Sequence, residues 1–170
     1  VTRKEGYRYA GVIESAFLLD EMDVEIIADG IHLPAPLLQL IYKIKGPDRI
    51  ALITDAMRGA GMPEGESRLG NKDNGLKVLI EGGVAKLIDK TAFAGSVATT
   101  NRLVKTMLQL TDIPLIDVIK MMSTTPARIM GFQDTKGSLT VGKHADIVLF
   151  NDQIDIEKTI VKGQVLYSRD

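Results

Sequence analysis

Apolar and polar positions along the chain group into blocks with two periods. Gly11 to Leu19 carries apolar residues at helical spacing and predicts a short helix. Val24 to Ala28 predicts a mostly buried strand in which Glu25 is the only charge, and His32 lies just past its end. Pro34 and Pro36 open a helix, where a missing N–H costs nothing. Leu37, Leu38, Leu40, Ile41 and Ile44 form its expected buried stripe, and Gly46-Pro47 stops it. Ile50 to Ile53 is apolar on both faces, as a central parallel strand should be. Strand, helix, strand in this order is the grammar of a parallel sheet.

The texture changes after Asp55. Gly59 to Glu66 reads as a glycine-rich loop, and Leu76 to Leu87 as two short strands joined by a tight Gly82-Gly83 turn. Ala92 to Ser96 runs into a helix with Leu103, Val104, Met107, Leu108 and Leu110 toward the core. A further helix starts near Pro114, with Asp112 as its expected cap. A short one takes Thr125 as N-cap and Pro126 at its first position, with Gly131 past its end. From Gly137 onward the pattern is strands and turns: Ala145 to Phe150, Ile156 to Val161, a Lys162-Gly163 turn, then Gln164 to Tyr167. That is a small antiparallel unit, with a domain boundary expected near 131–138. Val1 to Gly6 reads as neither a helix start nor a strand, so the chain reads as beginning inside a larger unit.

Composition narrows the function classes. With 170 residues and 45% hydrophobic content, the chain suffices for one ordinary core or one and a half small ones. The formal net charge of -1 gives no long-range attraction for nucleic acid or an anionic membrane. No apolar run approaches a membrane span, and no signal-peptide pattern is read at the start of this sequence. There is no cysteine, hence no thiolate nucleophile or thiolate metal ligand, and a cytoplasmic location is compatible with this. The seven methionines are expected as core filler.

The chemistry gathers at two strand ends. Parallel α/β enzymes deliver side chains to the active-site face at the C-terminal ends of strands. His32 and Asp55 occupy such positions, which makes them the first candidates. The bland alternatives are a histidine pinned by a backbone carbonyl and an aspartate capping a turn. Asp29 reads as structural, orienting its loop or His32, and His144 as a surface residue.

Five segments occur in order: Ala28-Asp29-Gly30-Ile31-His32, Leu52-Ile53-Thr54-Asp55-Ala56-Met57, Phe93-Ala94-Gly95-Ser96, Thr125-Pro126-Ala127-Arg128, and Lys136 through Val148. Together they resemble the C-terminal half of the N-acetylglucosamine-6-phosphate deacetylases, a family of the amidohydrolase superfamily. The resemblance implies an α/β fold: the C-terminal portion of a metal-dependent (β/α)8 TIM barrel in residues 1–136, with a β-hairpin insertion near 74–90, and part of a small β-sandwich in 137–170. It implies removal of acetate from N-acetylglucosamine 6-phosphate, an amino sugar phosphate, by a homodimer with a divalent metal ion, zinc. The family's metal ligands, a Glu and two His, precede the stretch matched here. Neither His32 nor His144 matches one, so this chain alone is expected to be inactive.

The resemblance also assigns roles. Asp55 matches the general base and acid, a carboxylate that takes a proton from water and hands it to the leaving amine. His32 matches a substrate contact. Arg8 aligns with an arginine that reaches the phosphate of the neighbouring subunit's substrate; Tyr9-Ala10 departs from the usual Glu-Pro there, and Arg3 and Lys4 are alternatives. Phe93, Ala94 and Gly95 match a stretch lining the substrate pocket, with Gly95 expected just before a helix N-terminus. Two other readings stand beside this one: another amidohydrolase, such as a deaminase or cyclic amidase, and a non-catalytic domain for sugar phosphate binding or oligomerisation.

Overall fold

The computed structural model describes residues 2–170, and Val1 lies outside the described residues. The chain opens on a hairpin of β1 (Thr2–Lys4) and β2 (Tyr7–Tyr9), where the sequence suggested no strand. The cause lies in the turn. Glu5 and Gly6 both take positive φ, 52° and 83°, the two-residue geometry whose twist matches an antiparallel pair. Helix α1 (Val12–Leu18) follows, its start fixed by Glu14, which accepts the Gly11 N–H at 2.8 Å.

The strand-helix-strand unit forms as its pattern predicts. Strands β3 (Val24–Ile26) and β4 (Ile50–Leu52) pair in parallel, Val24 opposite Ile50 and Ile26 opposite Leu52. Helix α2 (Ala35–Lys45) connects them, ending on Gly46 at φ 67°. Its buried face is narrower than expected. Leu38 and Ile41 are buried and Leu37 packs beside them, but Leu40 and Ile44 are exposed. At about 100° per residue, positions 40 and 44 lie roughly 200–240° round the helix from Leu38, on the far side. Lys45 takes the inner position instead: its Nζ donates to the carbonyls of Ala16 and Leu19 at 3.0 and 2.7 Å, closing the end of α1.

A second sheet is antiparallel, ordered β5 (Gly65–Leu69), β6 (Leu76–Glu81), β7 (Val84–Leu87), β8 (Phe93–Ser96). Gly82 and Gly83 make the expected turn, at φ 62° and 75°. Gly65 and Glu66 lie in β5, not in the loop assigned to them. The strand has no apolar alternation to betray it, and pairing with β6 recruits it.

Helix α3 (Thr100–Leu110) buries Leu103, Val104 and Met107, with Leu108 at the margin; Leu110 is exposed. Helix α4 (Leu115–Met122) is flanked by Pro114 and has no side-chain cap, so Asp112 does not play that part. In α5 (Thr124–Ile129) the N-cap is Ser123; Thr125 lies inside, and its hydroxyl donates to the Pro47 carbonyl at 2.7 Å. The last sheet is β11-β10-β9, formed by β9 (Ile147–Phe150), β10 (Ile156–Val161) and β11 (Gln164–Ser168).

Two cores result. The larger joins β3 and β4 to α2, α3 and α4 through residues such as Leu38, Ile50, Leu103, Met107, Val118 and Met121. The smaller lies under the four-stranded sheet: Met57, Val78, Ile80, Ala85 and Ala94. Methionine is only partly core filler, since Met22, Met62 and Met130 are exposed. The molecule is an α/β protein. Among the described residues no helix is long and apolar enough to cross a membrane.

Candidate active site

The loop after β3 is built by Asp29. Its buried carboxylate accepts the N–H groups of Ile31 and His32 on Oδ1, both at 2.9 Å, and contacts His32 Nδ1 through Oδ2 at 2.9 Å. Gly30, at φ 76°, lets this loop lie against Thr106 and Leu110 of α3; a Cβ there would come within 3.0–3.1 Å of both side chains. Burial works to raise the Asp29 carboxyl, but the two N–H donors and the His32 ring outweigh it and hold the group below the ordinary carboxylate range. A carboxylate only accepts hydrogen bonds, so the contact to His32 requires a proton on Nδ1.

Phe93 packs against the His32 ring. The two ring centroids are 5.0 Å apart, tilted by 51°. Phe93 is brought there by a β-bulge. Across β7 and β8, Lys86 pairs with Phe93 and Val84 with Ser96, so β8 holds one extra residue. Gly95 absorbs the distortion at φ 97°, with its Cα facing Met57, whose Cβ would lie 3.3 Å from an added methyl. Gly95 thus sits inside a strand, ahead of the Thr99 N-cap of α3, and not at the helix N-terminus expected from sequence. The Ala94 methyl points into the smaller core. Phe93 also borders an open cleft of about 420 Å³ with Lys86, Lys90, Thr91 and Ala92.

Asp55 follows β4. Ser96 N–H donates to its carbonyl at 3.2 Å, Met57 N–H donates back to the Ser96 carbonyl at 2.8 Å, and Ala56 bridges Ser96 in parallel. The ends of β3, β4 and β8 therefore lie in sequence along one rim, carrying His32, Asp55 and Ser96. Asp55 is exposed, adopts φ 45°, and its carboxylate has no hydrogen-bond partner among the described residues. Left-handed backbone is tolerable for aspartate and is common where a side chain is aimed for chemistry.

Arg8 lies on the exposed β1–β2 hairpin, a sheet of its own, directly across from Arg3. One residue escaped the sequence reading. Arg102, on α3, donates to the carbonyls of Gly83 at 2.9 Å and Asp29 at 3.4 Å, tying the β6–β7 turn to the His32 loop. No periodicity marks it, because its partners are backbone atoms far away in sequence. Among the described residues no three His, Asp or Glu side chains meet as a metal cage would require.

The amidohydrolase family model matches residues 3–166. The N-acetylglucosamine-6-phosphate deacetylase of Lysinibacillus sphaericus is 35% identical over 159 residues, 94% of this chain and 40% of that protein. A putative N-acetylgalactosamine-6-phosphate deacetylase of Escherichia coli K12 is 32% identical over 94% of this chain and 92% of its own length. The crystal structure of N-acetylglucosamine-6-phosphate deacetylase from Thermotoga maritima superposes with a TM-score of 0.84 at 31% identity, over 94% of this chain and 42% of that one. The chain thus spans about 40% of the length of the first relative and 92% of the second. The chain belongs to the amidohydrolase family.

Proposed function

We propose that this chain is the C-terminal part of an enzyme that removes acetate from N-acetylglucosamine 6-phosphate, working as a cytoplasmic homodimer. In this reading residues 1–136 complete a TIM barrel and 137–170 contribute to a β-sandwich. The observation that carries the reading is the pairing of a free carboxylate, Asp55, with an oriented imidazole, His32, on neighbouring parallel strand ends. The names of the similar proteins supply the substrate class, and the glucosamine and galactosamine forms are separated only by assay.

The chemistry assigns each residue a task. Asp55, unpaired and at the rim, accepts a proton from the attacking water and delivers it to the departing amine. His32, held by Asp29 and Phe93, hydrogen-bonds the substrate. Phe93 offers its exposed face to the sugar, while Ala94 and Gly95 serve through backbone groups, since the Ala94 side chain is core. Arg8 and Arg3 stand opposite each other on the hairpin, a like-charge pair that a phosphate dianion would relieve. Amidohydrolase family enzymes are typically metal-dependent. The residues described here do not form the ion's cage, so a divalent ion, zinc in this reading, takes its ligands from outside them. Such an ion would supply polarisation of the acetyl carbonyl and a more acidic water.

Acetate release by the full-length protein tests this. Asp55→Asn should lower kcat by about 10²–10⁴-fold with little change in KM, and the 170-residue chain alone should show no turnover. Turnover by the isolated chain, or an active Asp55→Asn enzyme, would refute the assignment.

A further inference from the structure

We propose that Asp29 is a positioning residue that keeps a proton on His32 Nδ1, so that in the neutral imidazole Nε2 presents a bare lone pair at the rim and selects a hydrogen-bond donor on the ligand. The group this recognises is a hydroxyl or amide N–H, as a sugar carries; a bare carbonyl or ether oxygen at that point is refused.

The geometry fixes each step. Asp29 is sealed from solvent, while 16% of the His32 side chain remains accessible. Oδ1 is already engaged by two backbone N–H groups, which orient the carboxylate and leave Oδ2 for the imidazole. An ionised carboxylate donates nothing, so Nδ1 must be the donor. Burial alone would favour a protonated Asp29, but the donors around it keep it ionised. Phe93 holds the ring at 5.0 Å, and Arg102 holds the Asp29 carbonyl. Nε2 has no partner among the described residues, and no buried side-chain polar atom there is left unpaired, so this nitrogen is open to a ligand. In a neutral imidazole one nitrogen donates and the other accepts, so fixing Nδ1–H makes Nε2 the acceptor. A donor facing that site gains a hydrogen bond; an acceptor meets another lone pair.

The tautomer itself does not depend on the deacetylase reading; its use in substrate selection rests on that reading. The test separates the two. Histidine is labelled with ¹⁵N in the full-length protein, and a His32→Gln variant assigns the His32 signals. Above the imidazole titration the wild type should show a protonated Nδ1 and an unprotonated Nε2. A dominant Nε2–H form overturns the proposal without any variant. In Asp29→Asn the amide can donate to Nδ1, so the proton should move to Nε2 and KM for the acetylated sugar phosphate should rise about tenfold while kcat changes less. Asp29→Glu, which restores an acceptor, should recover the Nδ1–H form. An Asp29→Asn enzyme that binds and turns over normally overturns the positioning role. Absence of wild-type turnover on any acetylated amino sugar phosphate refutes the deacetylase reading, while the tautomer measurement stands by itself.

Discussion

Asp29 and Asp55 show how position in the loop, more than residue type, sets what an aspartate does. One is buried and triply hydrogen-bonded, the other exposed and unpaired. The Asp29 carboxyl titrates below its unfolded value in the folded chain. Its contribution to stability is therefore fully present above the unfolded value, near pH 4, and is lost as pH falls through the lower folded value. Asp29→Asn should cost about 1–3 kcal/mol at neutral pH, because it exchanges three charge-assisted hydrogen bonds for neutral ones. It should also flatten the fall of stability with pH below about 4. Urea unfolding of the full-length protein and the variant across that range measures both, and parallel curves would count against the linkage. The candidates His32 and Asp55 were legible because each ends an apolar run. The tautomer of His32 and the left-handed backbone of Asp55 were not, since both depend on neighbours that fold supplies.

At the scale of elements, legibility followed the strength of the local period. The β3-α2-β4 unit, the β6–β7 hairpin and the three strands of the last sheet stand where apolar pattern and turn residues agree. The misses share a cause. β1 and β5 are polar strands created by a partner, and Leu40 and Ile44 look like core only until the helix is rotated. Two glycines in one sheet expose the difference between turn and bulge. Gly82 has a positive φ with open space around it, in a turn type that favours Asn-Gly; Gly82→Asn should be neutral within about 0.5 kcal/mol. Gly95 has a positive φ and faces Met57 at 3.3 Å; Gly95→Ala should cost about 1–3 kcal/mol and loosen Phe93 from His32. Chemical denaturation of the two variants in the full-length protein should rank them in that order, and equal costs would mean the bulge is not what fixes β8.

The whole molecule is stitched by contacts that carry no chemistry. Arg128 grips Asp23 with two hydrogen bonds, at 3.0 and 2.6 Å, and donates to the Asp48 carbonyl at 2.8 Å. α5 is thereby fastened to the segments entering both β3 and β4. Arg128 leads the forces that lower the Asp23 carboxyl, and Arg49 adds to them. Gly137 carries the chain onward past α5: at φ 84°, with the Ala127 methyl 2.5 Å from where a Cβ would be and the Thr124 hydroxyl donating to its carbonyl at 2.7 Å, no other residue fits. Lys136 pairs with Asp146, which also accepts the Lys162 N–H at 2.8 Å, so the same stretch anchors the last sheet. These two junctions differ in kind and should respond differently. Arg128→Ala removes a partly exposed ion pair and should cost about 1 kcal/mol, less in high salt. Gly137→Ala forces a methyl onto the Ala127 Cβ and should cost about 2–4 kcal/mol whatever the salt. Unfolding of both variants of the full-length protein at low and at molar salt distinguishes them. A Gly137→Ala cost that vanished, or an Arg128→Ala cost that grew with salt, would contradict a molecule held at one junction by charge and at the other by fit.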